Sequence, residues 1–305
     1  MKDENAMKHY FIINPTAGKT NSTDYIVTEV PKILPNKDDY EIYVAKSRED
    51  SNEYIRSVCN TLTSDAIFYA CGGDGTCYDV LNSIIDCPKA ILAIVPVGSC
   101  NDFLKSYPEY EFKNLDKLIN GTPVPTDVIK ANDKYAINVI NAGFDARVND
   151  DVCKMRMKYK DVKKAYKKSV IKNVFHKMSD QVSVKDDSGE MINGKITLMA
   201  FGNGQFYGGG YRCAPNAKMN DGLIETIVVR KVSLFTFAKL IGKYKTGHHL
   251  TNKKFKKHII YRQSTKITVD SNNSVCFCLD GETVWAKHME LTIIPNKIRL
   301  LLPKK

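Results

Sequence analysis

The stretch FYACGGDGTCYDVLNSI, Phe68 to Ile84, decides the fold. A continuous apolar run ends in a glycine-rich turn, and a helix-patterned segment follows. Such a turn aims backbone N–H groups at a phosphate. Its centre nevertheless holds Asp74, whose charge would repel one by roughly 4 kcal/mol at ~4 Å and an effective dielectric of about 20. Three glycines around an acid exceed what a purely structural turn needs. Gly72, Gly73 and Gly75 permit close backbone approach, and Thr76 is placed to cap the following helix. A hydrated Mg²⁺ joining carboxylate to phosphate removes the conflict.

The strand–loop–helix unit recurs on either side. HYFII precedes NPTAGKT and a helical stretch near Thr23 to Leu34. YEIYVAK precedes the helical SREDSNEYIRSVCNTL, and AILAIVPVG precedes the helix-like NDFLKSY. This repetition predicts a parallel sheet wrapped by helices. Ligands of such sheets sit at the carboxyl ends of the strands. The loops NPTAGK, CGGDGTC and VGSCNDF all fall there. NPTAGKT is not a P-loop, because the glycine required five residues before Gly18 is Ile13. It reads either as a turn or as a loop whose amides face a nucleotide. Asp102 reads as a helix cap or as a partner of the glycine turn.

After NGTPVPTDVIK the texture changes to short β-rich runs separated by turn residues, which predicts an antiparallel β domain. Asp221 lies in a turn that feeds one of these strands. Glu282 follows a second Asp-Gly step, and it is either an exposed strand residue or a carboxylate able to take a proton from a substrate hydroxyl.

The 305 residues suffice for two domains. No apolar run approaches the ~20 residues of a membrane span, and the N-terminus lacks a signal core. Nine cysteines without a C-x-x-C pair fit reduced cytosolic thiols better than zinc or disulfides. The formal net charge of +11 favours anionic lipid or polyphosphate ligands. No motif supports nucleic acid. Lys154 to Lys177 carries ten Lys/Arg and one acid, Asp161, with Val162, Tyr166, Val170 and Val174 on one helical face. Asn252 to His258 adds a second basic cluster around Phe255. These read as solvated faces or as a surface for an anionic membrane.

Taken in order, NPTAGK, GGDGT, GSCNDF, DVI, NAGFDA, GNGQFYGGG, APNAKMNDGL and LDGE resemble the diacylglycerol kinase catalytic-domain family, which is related to sphingosine and ceramide kinases. The resemblance implies an α/β nucleotide domain over 1–128 and 289–305, a β-sandwich lipid-substrate domain over 129–288, and an active site between them. It implies ATP-dependent phosphorylation of a lipid hydroxyl, most simply diacylglycerol giving phosphatidic acid. It also implies a role in phospholipid metabolism and a cytoplasmic, peripherally membrane-associated enzyme.

Asn14, Pro15, Thr16, Ala17 and Gly18, the turn Gly72 to Thr76, and Ser99 are implied nucleotide contacts. Asp74, Asp102 and Asp127 are implied to organise magnesium. Asp221, with the carbonyls of Lys218 and Leu223, is an implied second Mg²⁺ site. Glu282 is the implied general base, Asp74 is next in line for catalysis, and Gly208 to Gly210 shape the cleft. Ala45 and Glu49 stand where the family has threonine and glycine, which alters one nucleotide contact. The alternatives are an NAD kinase-like enzyme, from the shared GGDGT, and a non-catalytic basic membrane-binding protein. A homo-oligomer is left open.

Overall fold

The computed structural model describes residues 7–17, 22–98, 101–156, 162–176 and 178–305. The chain divides into two compact units, Met1–Val128 with Pro295–Lys305, and Ile129–Ile294.

In the first unit the elements run β1 (Lys8–Ile13), α1 (Ser22–Ile33), β2 (Tyr40–Val44), α2 (Arg48–Thr61), β3 (Ala66–Gly72), α3 (Asp74–Ile84), β4 (Ala90–Pro96), α4 (Leu115–Ile119) and β5 (Thr122–Ala131). Strands β2, β1, β3 and β4 are neighbours in that order, and all are parallel. Every residue of β3 is buried, as a strand covered by helices on both faces requires. Phe11 stacks on Tyr69 at 4.2 Å between ring centres. The Tyr69 hydroxyl lies 2.8 Å from Nδ1 of the buried His9.

The second unit continues with β6 (Lys134–Ala136), β7 (Val139–Gly143), α5 (Phe144–Arg156), α6 (Val162–His176), β8 (Asp180–Asp186), β9 (Met191–Gly202), β10 (Ile224–Arg230), α7 (Leu234–Lys245), β11 (Ile259–Ser264), β12 (Lys266–Leu279) and the long β13 (Glu282–Leu302). Its strands pair antiparallel in the order β11-β10-β9-β7-β12-β13, and β8 joins β9 and β12.

Several local readings need correction. The domain return begins at Pro295 rather than at residue 289. Met289, Leu291 and Thr292 are still paired to β12, and only beyond them does Arg299↔Ile91 register β13 beside β4. The segment NDFLKSY forms only a 3₁₀ turn, Asp102–Ser106. Helices α5 and α7 interrupt what the sequence presents as uniformly β-rich. The basic stretch after Lys154 is the end of α5 followed by the separate helix α6. Val170 and Val174 pack against the core of the second unit, whereas Tyr166 is exposed. Phe255 is buried in that same core cluster, with Phe237, Leu240 and Tyr244. The described cysteines are free thiols.

Candidate active site

In the first unit, the carboxyl ends of β1, β3 and β4 bring three loops together. The Asn14 N–H donates to the Cys71 carbonyl (3.2 Å), and the Gly98 N–H donates to the Gly72 carbonyl (3.0 Å). The Asn14 carboxamide accepts from the Thr16 amide and hydroxyl, at 3.0 and 2.8 Å. Its Nδ2 donates to Thr76 Oγ1 across the loops (3.3 Å). The Ala17 N–H closes on the Asn14 carbonyl at 3.1 Å. Pro15 and Thr16 are exposed. Gly18 and Ser99 lie outside the described residues.

The glycines here are needed for approach. A Cβ at Gly98 would collide with the backbone of Gly73, and one at Gly72 with the Thr76 side chain. Gly73 is the N-cap of α3 and Asp74 its first residue, so Thr76 sits within the first turn and does not cap the helix. No side chain caps this helix start, and the first amides of a helix have no intrahelical partner, an arrangement that suits a phosphate.

Asp74 is only partly exposed. Its Oδ1 accepts from the Asp102 N–H at 3.0 Å. Burial, and then the Asp102 carboxylate, push the Asp74 carboxyl up to about 6. Asp102 is buried, and Lys105 Nζ is bonded to its carboxylate. The preceding Asn101 has a φ of 50°, which turns the chain back towards Asp74. Lys105 escaped the sequence reading, although its spacing of three from Asp102 on a helical turn was available to find it.

Asp127 is buried, but its carboxylate accepts from the Asn296 N–H at 2.8 Å, where β13 enters this unit. Among the described residues no three His, Cys, Asp or Glu side chains group to hold a metal ion. Among Asp74, Asp102 and Asp127, the Asp102 N–H donates to the Asp74 carboxylate. That pair fits a divalent cation, since its oxygens are hard ligands and one member ionises at a cost. Ala45 is buried, its N–H on the Ile13 carbonyl (2.9 Å), and Glu49 lies exposed in the first turn of α2.

In the second unit, Asp280 and Gly281 form the two-residue loop between β12 and β13, with φ values of 48° and 103°. The Asp280 carboxylate accepts from the N–H groups of Ile137, Asn138 and Val139 at 2.7 to 3.1 Å. Glu282, half-buried, begins β13 opposite Leu279. Helix α5 holds this hairpin. Asn149 Nδ2 donates to the Gly281 carbonyl (2.9 Å), and Asp150 accepts from the Thr283 hydroxyl (3.1 Å) and the Trp285 indole N–H (3.3 Å). None of these supports was singled out beforehand. They join segments more than 130 positions apart, so no local pattern marks them.

Asp145, in the first turn of α5, accepts from the Tyr207 hydroxyl, and burial pushes its carboxyl up to about 6. Gly208 to Gly210 form the positive-φ turn between Tyr207 and Tyr211. Asp221 is exposed, and its Oδ1 accepts from the Leu223 N–H (3.1 Å), a local turn at the entry to β10. Lys218 is exposed nearby in sequence.

Comparison with known proteins shows the family and the fold. A family model described as the diacylglycerol kinase catalytic domain matches residues 8–131. A second, described as the YegS C-terminal NAD kinase beta sandwich-like domain, matches residues 138–302. The chain belongs to the diacylglycerol kinase and YegS family, and it is an ATP-dependent kinase of the lipid kinase class.

A diacylglycerol kinase of Bacillus subtilis (strain 168) is 24% identical over 298 residues, covering 96% of each chain. A probable lipid kinase YegS-like of Serratia proteamaculans (strain 568) is 26% identical, covering 94% of this chain and 92% of its own. The crystal structure of a putative diacylglycerol kinase from Bacillus anthracis str. Sterne has the same fold. Its TM-score is 0.74 at 21% identity, covering 97% of this chain and 96% of that one.

Proposed function

We propose that this kinase transfers the γ-phosphate of ATP to the free hydroxyl of diacylglycerol, giving phosphatidic acid. The observation that carries the reading is Asp74, an acid with a raised pKa in an amide-lined glycine turn beside Asp102. A carboxylate in that position suits a bound nucleotide only with a cation present. When bound, Mg²⁺ supplies charge neutralisation between these carboxylates and the phosphates. The chain's own share is positioning. The amides after Gly72 hold phosphate oxygens, Asn14 ties the first loop to Thr76, and Asp74 and Asp102 set where the cation sits. Lys105 offsets the charge of the buried Asp102.

Glu282 is assigned the removal of the lipid hydroxyl proton. Asp221, with the Lys218 and Leu223 carbonyls, is assigned a second, structural Mg²⁺, and the turn already formed by Asp221 and Leu223 supports that role. The high positive charge supports an anionic membrane as the place where the lipid is met.

Kinetics of Glu282→Gln test the assignment. Gln keeps the size and removes the basicity. Turnover with diacylglycerol should fall about 10²–10⁴-fold while ATP affinity, measured by titration, stays unchanged. An unchanged kcat would move the base elsewhere, with Asp74 the next candidate. Wild-type phosphorylation of NAD but not of diacylglycerol would overturn the substrate assignment.

A further inference from the structure

From Thr226 to Val269 the chain contains no Asp or Glu and eleven Lys/Arg. Helix α7 lies within this stretch. Its Phe237, Leu240 and Tyr244 are buried in the core of the second unit. Phe235, two residues earlier and so ~200° round the helix, points the other way. It is 70% exposed, and its neighbour Leu234 is 47% exposed. These are the first two residues of the helix. Ser233 caps it, accepting from the Thr236 N–H at 3.2 Å, so both side chains are presented from a fixed end. Lys239 lies 3.9 Å from the centre of the Phe235 ring.

More positive charge is brought to the same end. The Arg230 N–H donates to the His258 carbonyl (2.9 Å), and the Lys231 N–H donates to the Lys195 carbonyl (2.7 Å). The end of the run Lys253 to His258 therefore lies against the segment that enters α7. Arg262 and Lys266 have acidic partners, but they sit on β11 and β12. Among the described residues no acidic partner is recorded for Arg230, Lys231 or Lys239.

From this juxtaposition we propose that the start of α7, Leu234 and Phe235 with Lys239 on the ring and Lys231 just before the helix, docks on an anionic lipid bilayer. The two apolar side chains enter the acyl boundary, and the lysines meet the headgroups. An apolar tip beside lysines, in a stretch of chain without acids, matches that surface on both counts. A nucleic-acid duplex would use the lysines and leave the exposed aliphatic and aromatic pair wet. The proposal rests on the lipid-kinase reading only for its purpose, since the docking itself needs no turnover.

The test is co-sedimentation with phosphatidylcholine vesicles, with and without phosphatidylglycerol, for the wild type, Phe235→Ser and Phe235→Trp. The wild type should bind the phosphatidylglycerol vesicles at low salt and leave them near 1 M salt, where the Debye length is about 3 Å. Phe235→Ser, melting like the wild type, should lose about tenfold or more in vesicle affinity. It should also lose activity on vesicle-borne diacylglycerol while keeping wild-type activity on dispersed short-chain diacylglycerol. Phe235→Trp should keep binding, and brominated acyl chains should quench it beyond the background from Trp285.

Equal vesicle affinity of Phe235→Ser and wild type overturns the proposal. So does equal wild-type binding to neutral and anionic vesicles. Tighter binding to a duplex oligonucleotide than to vesicles, unaffected by Phe235→Ser, overturns it in favour of nucleic acid. If the chain docks as described but phosphorylates no diacylglycerol, the substrate assignment fails and the docking surface stands.

Discussion

At Asp74, burial and Asp102 oppose ionisation together, and the carboxyl titrates near 6 instead of 3.8. A raised acid pKa means that the folded state holds its proton more tightly than the unfolded chain. Its favourable contribution is complete below 3.8 and is lost as pH rises through about 6. At pH 7.5 without metal the charge is therefore a burden. Asp74→Asn should leave metal-free stability at pH 7.5 unchanged or raise it by about 1–3 kcal/mol, because Asn keeps an acceptor for the Asp102 N–H. Turnover should nearly vanish. Urea unfolding and kcat at saturating Mg²⁺ check the two halves, and near wild-type kcat would refute the cation-organising role. His249 works in the opposite sense. Burial lowers its pKa from 6.5 to about 4. Its contribution is complete above pH 6.5 and is lost as pH falls towards 4, by up to about 1.4 kcal/mol per pH unit. His9 behaves alike, because burial lowers it to about 4 as well. His249→Phe should flatten the fall in urea stability between pH 6.5 and 4, and an unaltered slope would refute the assignment to this ring.

The β12–β13 hairpin shows how a distant contact fixes a local turn. Its Asp-Gly loop was legible, since both positions adopt positive φ. The reach of Asp280 to the amides of Ile137, Asn138 and Val139 was not legible, because it depends on where β7 lies in the sheet. Asp280→Ala strands amides beside buried Ile137 and Val139, so it should cost about 3 kcal/mol or more. Urea denaturation measures this, and a loss below about 1 kcal/mol would mean that other groups or water satisfy those amides. Helix α7 makes the complementary point. Its stretch VSLFTFAKLIGKYK is apolar enough to pass as strand, yet Phe237, Leu240 and Tyr244 are spaced for one helical face.

At the scale of the whole molecule, β13 is shared by the two units. Its end, Pro295–Lys305, belongs to the first, with Arg299 and Leu300 in register with Ile91 and Leu92 of β4. Arg299 also pairs with Asp65, and the Lys304 N–H donates to the Lys117 carbonyl. A fragment ending at residue 128 lacks this strand and exposes one side of β4. It should not fold cooperatively alone, and adding a peptide of residues 295–305 should restore a melting transition. Cooperative melting of the bare fragment would show that the return is dispensable.

What the sequence determined by itself was whatever is local. Apolar runs ending in glycine loops specify parallel strands with those loops at one end, and the ordered motifs, GGDGT among them, mark the family. Composition alone signalled a strongly basic surface. Only the tertiary structure decided which distant groups meet. It put the Asp102 N–H on the Asp74 carboxylate and the Asn296 N–H on that of Asp127. It set Asn149 and Asp150 on Gly281 and Thr283, the residues either side of Glu282. It also buried Phe255 and exposed Phe235, although both are aromatics within basic runs. The reason is that burial and pairing are properties of contacts across the chain. A side chain's chemistry can be read in place, but its neighbours are chosen by the register of strands and the face of a helix.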